Sequence, residues 1–275
     1  ATNATTYRWQ VNTGSIFENI NNDSTYSGAT TLTLDISNAT SDMDGYTYRV
    51  VTTGNCQPND TSTVASLSVN IRYVKQGGSG DQSGSSWANA SGDLQLMINQ
   101  ACPNSEIWVA AGTYKPNRPA NNINTIDVNN RSNSFFLKAN VKIYGGFPST
   151  GTPDTNQRDW NMNITTLSGD IGTVNNIIDN SYHVVMSSGA VGTAELNGFT
   201  ITQGNANTNI NYDVNGYSSD GRHGAGMYND NSSPQISNVT FLGNNANYGA
   251  GMYNAVSSPT ILNCIFSGNT VTFNG

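Results

Sequence analysis

The chain has 275 residues, of which 42 are asparagine and 28 glycine, so two turn-forming residue types make up a quarter of it. Only 11% of residues are charged and the net charge is −7, which excludes the basic footprint of a nucleic-acid binder. No run of about 18 apolar residues occurs, so no membrane-spanning helix is written into the sequence.

Asparagine and glycine tolerate positive φ, and in this proportion they predict many short strands, sharp corners and little helix. Residues 1–71 read as short alternating strands. YRWQVN places Trp9 in mid-strand, TLTLDIS alternates Leu32, Leu34 and Ile36, GYTYRVVTTG follows a turn, and TVASLSVNI closes the set. SDMDGYTYRV resembles the tyrosine corner of immunoglobulin-like sandwiches. Tyr46 follows the Asp44-Gly45 turn, Trp9 matches the buried tryptophan of such domains, and Tyr48 stands at the usual second cysteine. A full sandwich of that kind has two strands before the tryptophan strand, yet only eight residues precede Trp9. The resemblance therefore implies an incomplete immunoglobulin-like domain, cut from a longer polypeptide or completed by a strand from another chain. Asp23-Ser24-Thr25 resembles the bacterial O-glycosylation sequon of the Bacteroidetes, which would place a sugar on Ser24. The N-x-S/T sequons, Asn3, Asn38 and Asn238 among them, arise by chance in a chain this rich in Asn, Ser and Thr.

From Arg72 the texture changes. Residues 72–104 hold one predicted helix, capped by Ser91, with Leu94, Met97, Ile98 and Ala101 on one face. This segment is expected to cap the N-terminal end of the strands beyond it. Strands are predicted in EIWVAAGTY, SFFLKANVKIYGGF, TTLSGDI, SYHVVMSSG and AELNGFTITQGN. GAGMYNDNSSPQISNVTFLGNN then begins at Gly224 and returns as GAGMYNAVSSPTILNCIFSGNT at Gly249, with 14 identities in 25 aligned positions. A period of 25 residues without helical patterning suits one turn of a β-solenoid. Stacking at about 4.8 Å would set Ile236 over Ile261, Phe241 over Phe266 and Met227 over Met252 as inward columns. Asn229/Asn254, Asn238/Asn263 and Asn244/Asn269 would form amide columns at the corners.

SGSSWANASGDLQLMINQA, EIWVAAGTYKP, TTLSGDI and the GAGMYN…SSP…N…FSGN rungs resemble right-handed parallel β-helix repeats. Such repeats occur in large secreted or surface proteins of bacteria with a pectate-lyase-like fold. An immunoglobulin-like module followed by such a helix resembles the modular surface proteins of the Bacteroidetes exported by the type 9 system. The expected fold is all-β: an incomplete immunoglobulin-like β-sandwich at 1–71, then a right-handed parallel β-helix with an N-terminal capping helix at 72–275. The resemblance implies an extracellular or cell-surface location and an adhesin-like role. No cap follows Phe266, so further rungs are expected beyond the C-terminus.

The β-helix fold carries lyases and hydrolases as well as adhesins, so particular side chains must decide. The insertion NYDVNGYSSDGRHGAGMYND concentrates Asp213, Asp220, Arg222, His223 and Asp230. Asp220, Arg222 and His223 are the catalytic candidates of a polysaccharide lyase or glycoside hydrolase, chemistries that need a basic residue or converging carboxylates. Asp213, Asp220 and Asp230 are the candidate Ca²⁺ ligands; no other cofactor is implied. The expectation for this insertion is a solvated, non-catalytic loop. Tyr212, Tyr217, Tyr228, Tyr248 and Tyr253, beside abundant amides, offer rings and hydrogen-bonding groups to neutral glycans or to another surface protein. A purely structural stalk is the third reading. His183 is expected as a strand residue with a satisfied ring, and Asp170 as a structural part of LSGDI. Cys56, Cys102 and Cys264 lack metal-ligand spacing. Cys264 stands where the previous repeat has Val239 and should pack as a small hydrophobe, while Cys56 is free to pair with a cysteine of another chain.

Overall fold

Short strands between Gly, Asn and Ser turns are what the composition dictates. A computed structural model of the chain, which describes residues 4–37, 39, 43–54, 59–68 and 70–272, has that texture. The class is all-β with several parallel sheets. Contacts cluster into two units, Ala1–Asn70 and Ile71–Gly275. Asn3, Asn38 and Cys56 lie outside the described residues.

In the first unit, strands Ala4–Asn12 and Thr47–Gly54 pair antiparallel at the centre of a five-stranded sheet. Phe17–Asn19 flanks one side, and Asp60–Thr61 and Ala65–Ser66 flank the other. Tyr26–Ser27 and Asp35–Ile36 form a separate two-stranded pair. Ile20, Ala29 and Tyr48 are the buried core of this unit. The buried aromatic is thus Tyr48, whose hydroxyl lies 3.1 Å from that of Tyr26. Trp9 is only half-buried, with its indole N–H donating to the Thr31 carbonyl at 3.0 Å. The alternation expected from Leu32 fails for a local reason. A turn from Gly28, closed by Thr31 N–H on the Gly28 carbonyl, takes residues 31–33 out of extended pairing. Leu32 is exposed, while Leu34 and Ile36 still pack on the core. Ser24 is exposed beside an Asx turn in which the Asp23 carboxylate accepts from Thr25 and Tyr26 N–H.

In the second unit the chain visits three parallel faces in turn and returns to the first one strand further along. The first face runs through Ile71–Val74, Glu106–Ala110, Lys142–Phe147, Glu195–Asn197, Gln235–Ser237 and Thr260–Leu262. The second runs through Gly112–Tyr114, Thr165–Ser168, Thr200–Thr202, Thr240–Leu242 and Ile265–Ser267. The third runs through Phe135–Phe136, Val185–Ser188, Met227–Asp230 and Met252–Ala255. A short fourth ladder joins Asn205–Ala206, Asn245–Ala246 and Thr270–Val271. These four ladders are parallel, as a chain that returns to the same face must make them.

Register sets the interior. Ile107, Ile143, Leu196, Ile236 and Ile261 align on the first face. Tyr114, Leu167, Ile201, Phe241 and Phe266 align on the second, and Phe135, Val185, Met227 and Met252 on the third. The rings of Phe241 and Phe266 stack at 4.7 Å and 8°, the inter-strand spacing of a sheet. These columns merge into one core that also takes Leu94, Met97, Ile98 and Ala101 from the helical segment. Cys264 packs against the same core, and Cys102 is exposed and free. At the last described rung Ile261, Ile265 and Phe266 are about half exposed.

The helix is Leu94–Gln100, and its N-cap is Asp93 rather than Ser91. The Asp93 carboxylate accepts from Leu96 N–H at 2.9 Å and pairs with Arg118 at 2.7 Å, an anion placed where the helix dipole favours it. The Ser91 hydroxyl instead accepts from Asp93 N–H at 3.1 Å.

Asparagine builds the corners. Gly198, Asn238 and Asn263 take φ of 81°, 54° and 51° at the same corner of successive rungs, a conformation that glycine and asparagine adopt most readily. The Asn238 amide donates to Asn197 Oδ1 at 3.1 Å. At a second corner Asn244 Oδ1 accepts from Gly204 N–H at 2.9 Å while its Nδ2 donates to the Ile201 carbonyl at 3.0 Å. Asn269 repeats both bonds one rung later, on Asn244 N–H and the Phe241 carbonyl. Each copy therefore meets the same partners, which is why the sequence repeats nearly letter for letter. Gly226 recurs for a related reason: a Cβ there would sit 2.4 Å from the Gly251 carbonyl oxygen of the next rung.

Candidate functional site

The insertion between Asn205–Ala206 and Met227–Asp230 is a β-hairpin packed onto the second unit, not a solvated loop. Asn211–Val214 pairs antiparallel with Tyr217–Asp220. Asn215 and Gly216 turn between them with φ of 54° and 81°, the Asn-Gly signature of a tight hairpin turn. Val214 and Ser219 are fully buried. The hairpin closes over the outer side of the third face, where Phe136, Met186, Tyr228 and Tyr253 stand in register. Ser188 Oγ donates to the Val214 carbonyl at 2.9 Å and latches it there.

That packing sorts the tyrosines. Tyr228 is buried, and burial pushes its hydroxyl up to about 12. Tyr212 lies inside the same apolar cluster, its hydroxyl 3.7 Å from Met186 Sδ. Tyr217 is half-buried on the second hairpin strand. Tyr248 and Tyr253 are half-buried and meet at His223, whose ring lies 4.9 Å from the first and 4.2 Å from the second. Tyr228 and Tyr253 stack at 5.8 Å across one rung. Four of the five predicted tyrosines thus belong to one aromatic ladder that continues to His183, 5.3 Å from Tyr228 and 5.9 Å from Tyr212.

The charged candidates are largely matched among themselves. Arg222 Nη2 donates to Asp220 Oδ2 at 2.6 Å and its Nε to Asp220 Oδ1 at 3.0 Å. Burial alone would raise the Asp220 carboxyl, but the Arg222 bonds outweigh it and hold the group below its ordinary value. His223 Nδ1 lies 3.4 Å from the same carboxylate. Its ring is held below the usual histidine value, first by burial and then by Arg222, against the opposing pull of Asp220. Asp220, Arg222 and His223 therefore meet as a neutral histidine beside an ion pair. Asp213 is elsewhere, at the hairpin turn, accepting from Gly216 N–H at 2.9 Å. Asp230 is buried at the end of its strand, bonded to Asn231 Nδ2 at 2.9 Å, and burial raises its carboxyl. The three aspartates are not brought together. Among the described residues no group of three or more His, Cys, Asp or Glu side chains is placed to hold a metal ion.

His183 departs from expectation. It is fully buried, Nδ1 lies 3.2 Å from the Gly224 carbonyl, and Nε2 has no hydrogen-bond partner. A second cluster, on the outer side of the first face, is invisible to motif reading. Glu106 and Glu195 are both buried there and stand two strands apart, with Lys142 between them in register. Trp108 Nε1 donates to Glu106, while Tyr144, Asn197 and Ser237 donate to Glu195. Arg158 spans Tyr144 and Trp160 and bonds Asn197 Oδ1 at 2.6 Å. The only sequence signal is parity: Glu106 and Trp108 alternate with the inward Ile107 and Val109. This network braces the face and presents no open carboxylate pair.

Two clefts have volumes of about 200 and 290 Å³, the larger of them reaching Phe136, Ser188 and Asn215 beside the hairpin. One is lined by Gln76, Asp93, Thr113 and Lys115, the other by Asn99, Ile123, Lys138 and Val191. Among the described residues no helix is long and apolar enough to cross a membrane. No protein-family model, no curated protein and no solved structure matches the chain.

Proposed function

We propose that this chain is a non-catalytic segment of a modular secreted or cell-surface protein. In this reading the second unit is a right-handed parallel β-helix that presents a rigid face, and the first is an immunoglobulin-like sandwich. The observation that carries the reading is the strand register: four parallel ladders with like residues stacked on like build an extended, quasi-one-dimensional scaffold. The ion pairing of Asp220 with Arg222 argues against proton transfer by either of these two groups. The partner class is a neutral glycan or another surface, met by Tyr248, Tyr253 and His223 at the hairpin's edge. Tyr228 is a core residue and not a contact candidate.

Each ring contact exchanges water for protein at a gain of about 1 kcal/mol, so retention needs many copies. The test is a glycan array probed with a multimerised form of the chain. Tyr248→Ala and Tyr253→Ala should each weaken retention about fivefold. Retention unchanged by both assigns the contact elsewhere, and no retention on any glycan leaves the structural-stalk reading in its place. Incubation with pectins, alginates and glycosaminoglycans, with and without Ca²⁺, should release no unsaturated or reducing-end products; turnover lost in Arg222→Ala or His223→Ala would establish the lyase or hydrolase reading instead.

A further inference from the structure

Four oxygens in one short loop of the second unit are buried without a hydrogen-bond partner: Asp170 Oδ1, Asp179 Oδ1, Asn180 Oδ1 and the Ser181 hydroxyl. Asp170, Asn180 and Ser181 are 5%, 3% and 0% exposed. Three of the four can only accept, so they cannot satisfy one another. A buried acceptor left unmatched carries the full desolvation cost of the group, and several together call for a donor or a cation.

The loop is closed. Ser181 N–H donates to the Gly169 carbonyl at 2.8 Å, so positions 170 and 180, which flank that bond, meet at the loop's mouth. Within the loop the two carboxylates are used in the same way. Asp170 Oδ2 accepts from Asn175 N–H at 3.3 Å, and Asp179 Oδ2 accepts from Thr173 N–H at 2.9 Å and Asn176 Nδ2 at 3.0 Å. Each keeps its Oδ1 in reserve. The Thr173 backbone bond, against a smaller desolvation effect, holds the Asp179 carboxyl below its ordinary value. Asn180 is oriented as well: its Nδ2 donates to the Gln203 carbonyl at 2.8 Å, which fixes Oδ1 as the unmatched end. Gly172 makes room for this, since a Cβ there would sit 2.5 Å from Asp179 Cγ. Two cations lie beside the loop without bonding an unmatched oxygen: Lys115 Nζ is 3.9 Å from Asp170 Oδ2, and Arg131 donates to the backbone carbonyls of Asn180 and Asn205.

We propose that the loop of residues 170–181 is a calcium site, with Asp170, Asp179, Asn180 and Ser181 as its side-chain ligands. Two anionic oxygens, an amide oxygen and a hydroxyl form a hard donor set of the kind calcium takes in flexible geometry, whereas magnesium demands a near-ideal octahedron and retains waters. The inference does not depend on the glycan-presenting role, and it moves the cation from the hairpin aspartates to LSGDI.

The experiment is calcium titration of the EDTA-treated full chain by calorimetry and by thermal unfolding, with magnesium as comparator. One site is expected, raising the unfolding temperature by roughly 5 °C at calcium a hundredfold above Kd, with a smaller rise for magnesium. Asp170→Asn should weaken binding at least about tenfold, the loss of one anionic ligand. Gly172→Ala keeps every ligand but displaces the Asp179 carboxylate, and should weaken it too. Asp213→Asn, in the hairpin, should change nothing. No heat and no shift up to roughly 10 mM calcium, above the range of weak extracellular sites, would overturn the proposal. So would a calcium response that survives both Asp170→Asn and Gly172→Ala.

Discussion

Val256 sits at φ 49° with its side chain in solvent. One rung earlier the same corner is Asn231 at φ 50°. The left-handed region costs a β-branched residue about 1–2 kcal/mol, and nothing is gained here by burial. Val256→Asn should therefore stabilise the second unit by about 1 kcal/mol, read as a higher urea midpoint at unchanged slope; a lower midpoint would show that the valine has a role the corner geometry does not reveal. Asn244 is the opposite case, a buried amide that satisfies Gly204 N–H and the Ile201 carbonyl at once. Asn244→Leu keeps the volume and removes both bonds. With two buried backbone groups left unmatched, a loss of about 2–4 kcal/mol is expected.

The hairpin carries the next expectation. Its register depends on the Asn215-Gly216 turn, and its attachment on Val214 and Tyr212 against the third face. Val214→Asp should release it without unfolding the rungs, because the rung core is a separate cluster. Limited proteolysis should then cut within residues 208–222 at a rate raised at least about tenfold, while the unfolding midpoint of the resulting core changes little; simultaneous loss of both would show one cooperative unit. The same element marks where sequence reading stops. The closing rungs are legible because 25 residues separate Ile236 from Ile261 and nothing intervenes. Earlier partners, Ile107 with Ile143, Ile143 with Leu196 and Leu196 with Ile236, lie 36, 53 and 40 residues apart. Loops of unequal length hide the period without disturbing the ladder. Strand parity survives, so the inward residues are readable, but which polar residues meet across a corner is not. Asp220 beside Arg222 is a neighbour effect visible in the chain; Asp170 beside Asn180 depends on a bond between Ser181 and Gly169 that no local pattern announces. The helix cap falls at Asp93 and not at Ser91 through the same limit, since Asp93 wins through Arg118, 25 residues away.

Across the whole molecule, low charge leaves few groups through which pH can act on stability, and His183 stands out among them. Burial holds its ring down to about 4, against an ordinary value of 6.5. The groups facing it are His223, Asp220, Tyr212 and Tyr228, and the carboxylate does not offset the desolvation. Between pH 4 and 6.5 the unfolded chain binds a proton at this position and the folded chain does not. Stability is therefore fully present above about pH 6.5, falls as pH drops toward 4, and levels off below it, by about 3 kcal/mol in all. His223, also held low, adds in the same direction. Asp220 adds a further loss only at lower pH, while the raised Asp230 has the opposite sign. His183→Phe keeps a ring against Tyr228 and cannot titrate. Urea midpoints measured at unit steps from pH 8 to pH 4 should fall steeply for the parent chain and about half as steeply for the variant, so that the two curves cross. Parallel curves would place the acid-labile group elsewhere, and a variant that loses stability equally at every pH would mean that the His183 bond to the Gly224 carbonyl, not its protonation, is what the fold requires.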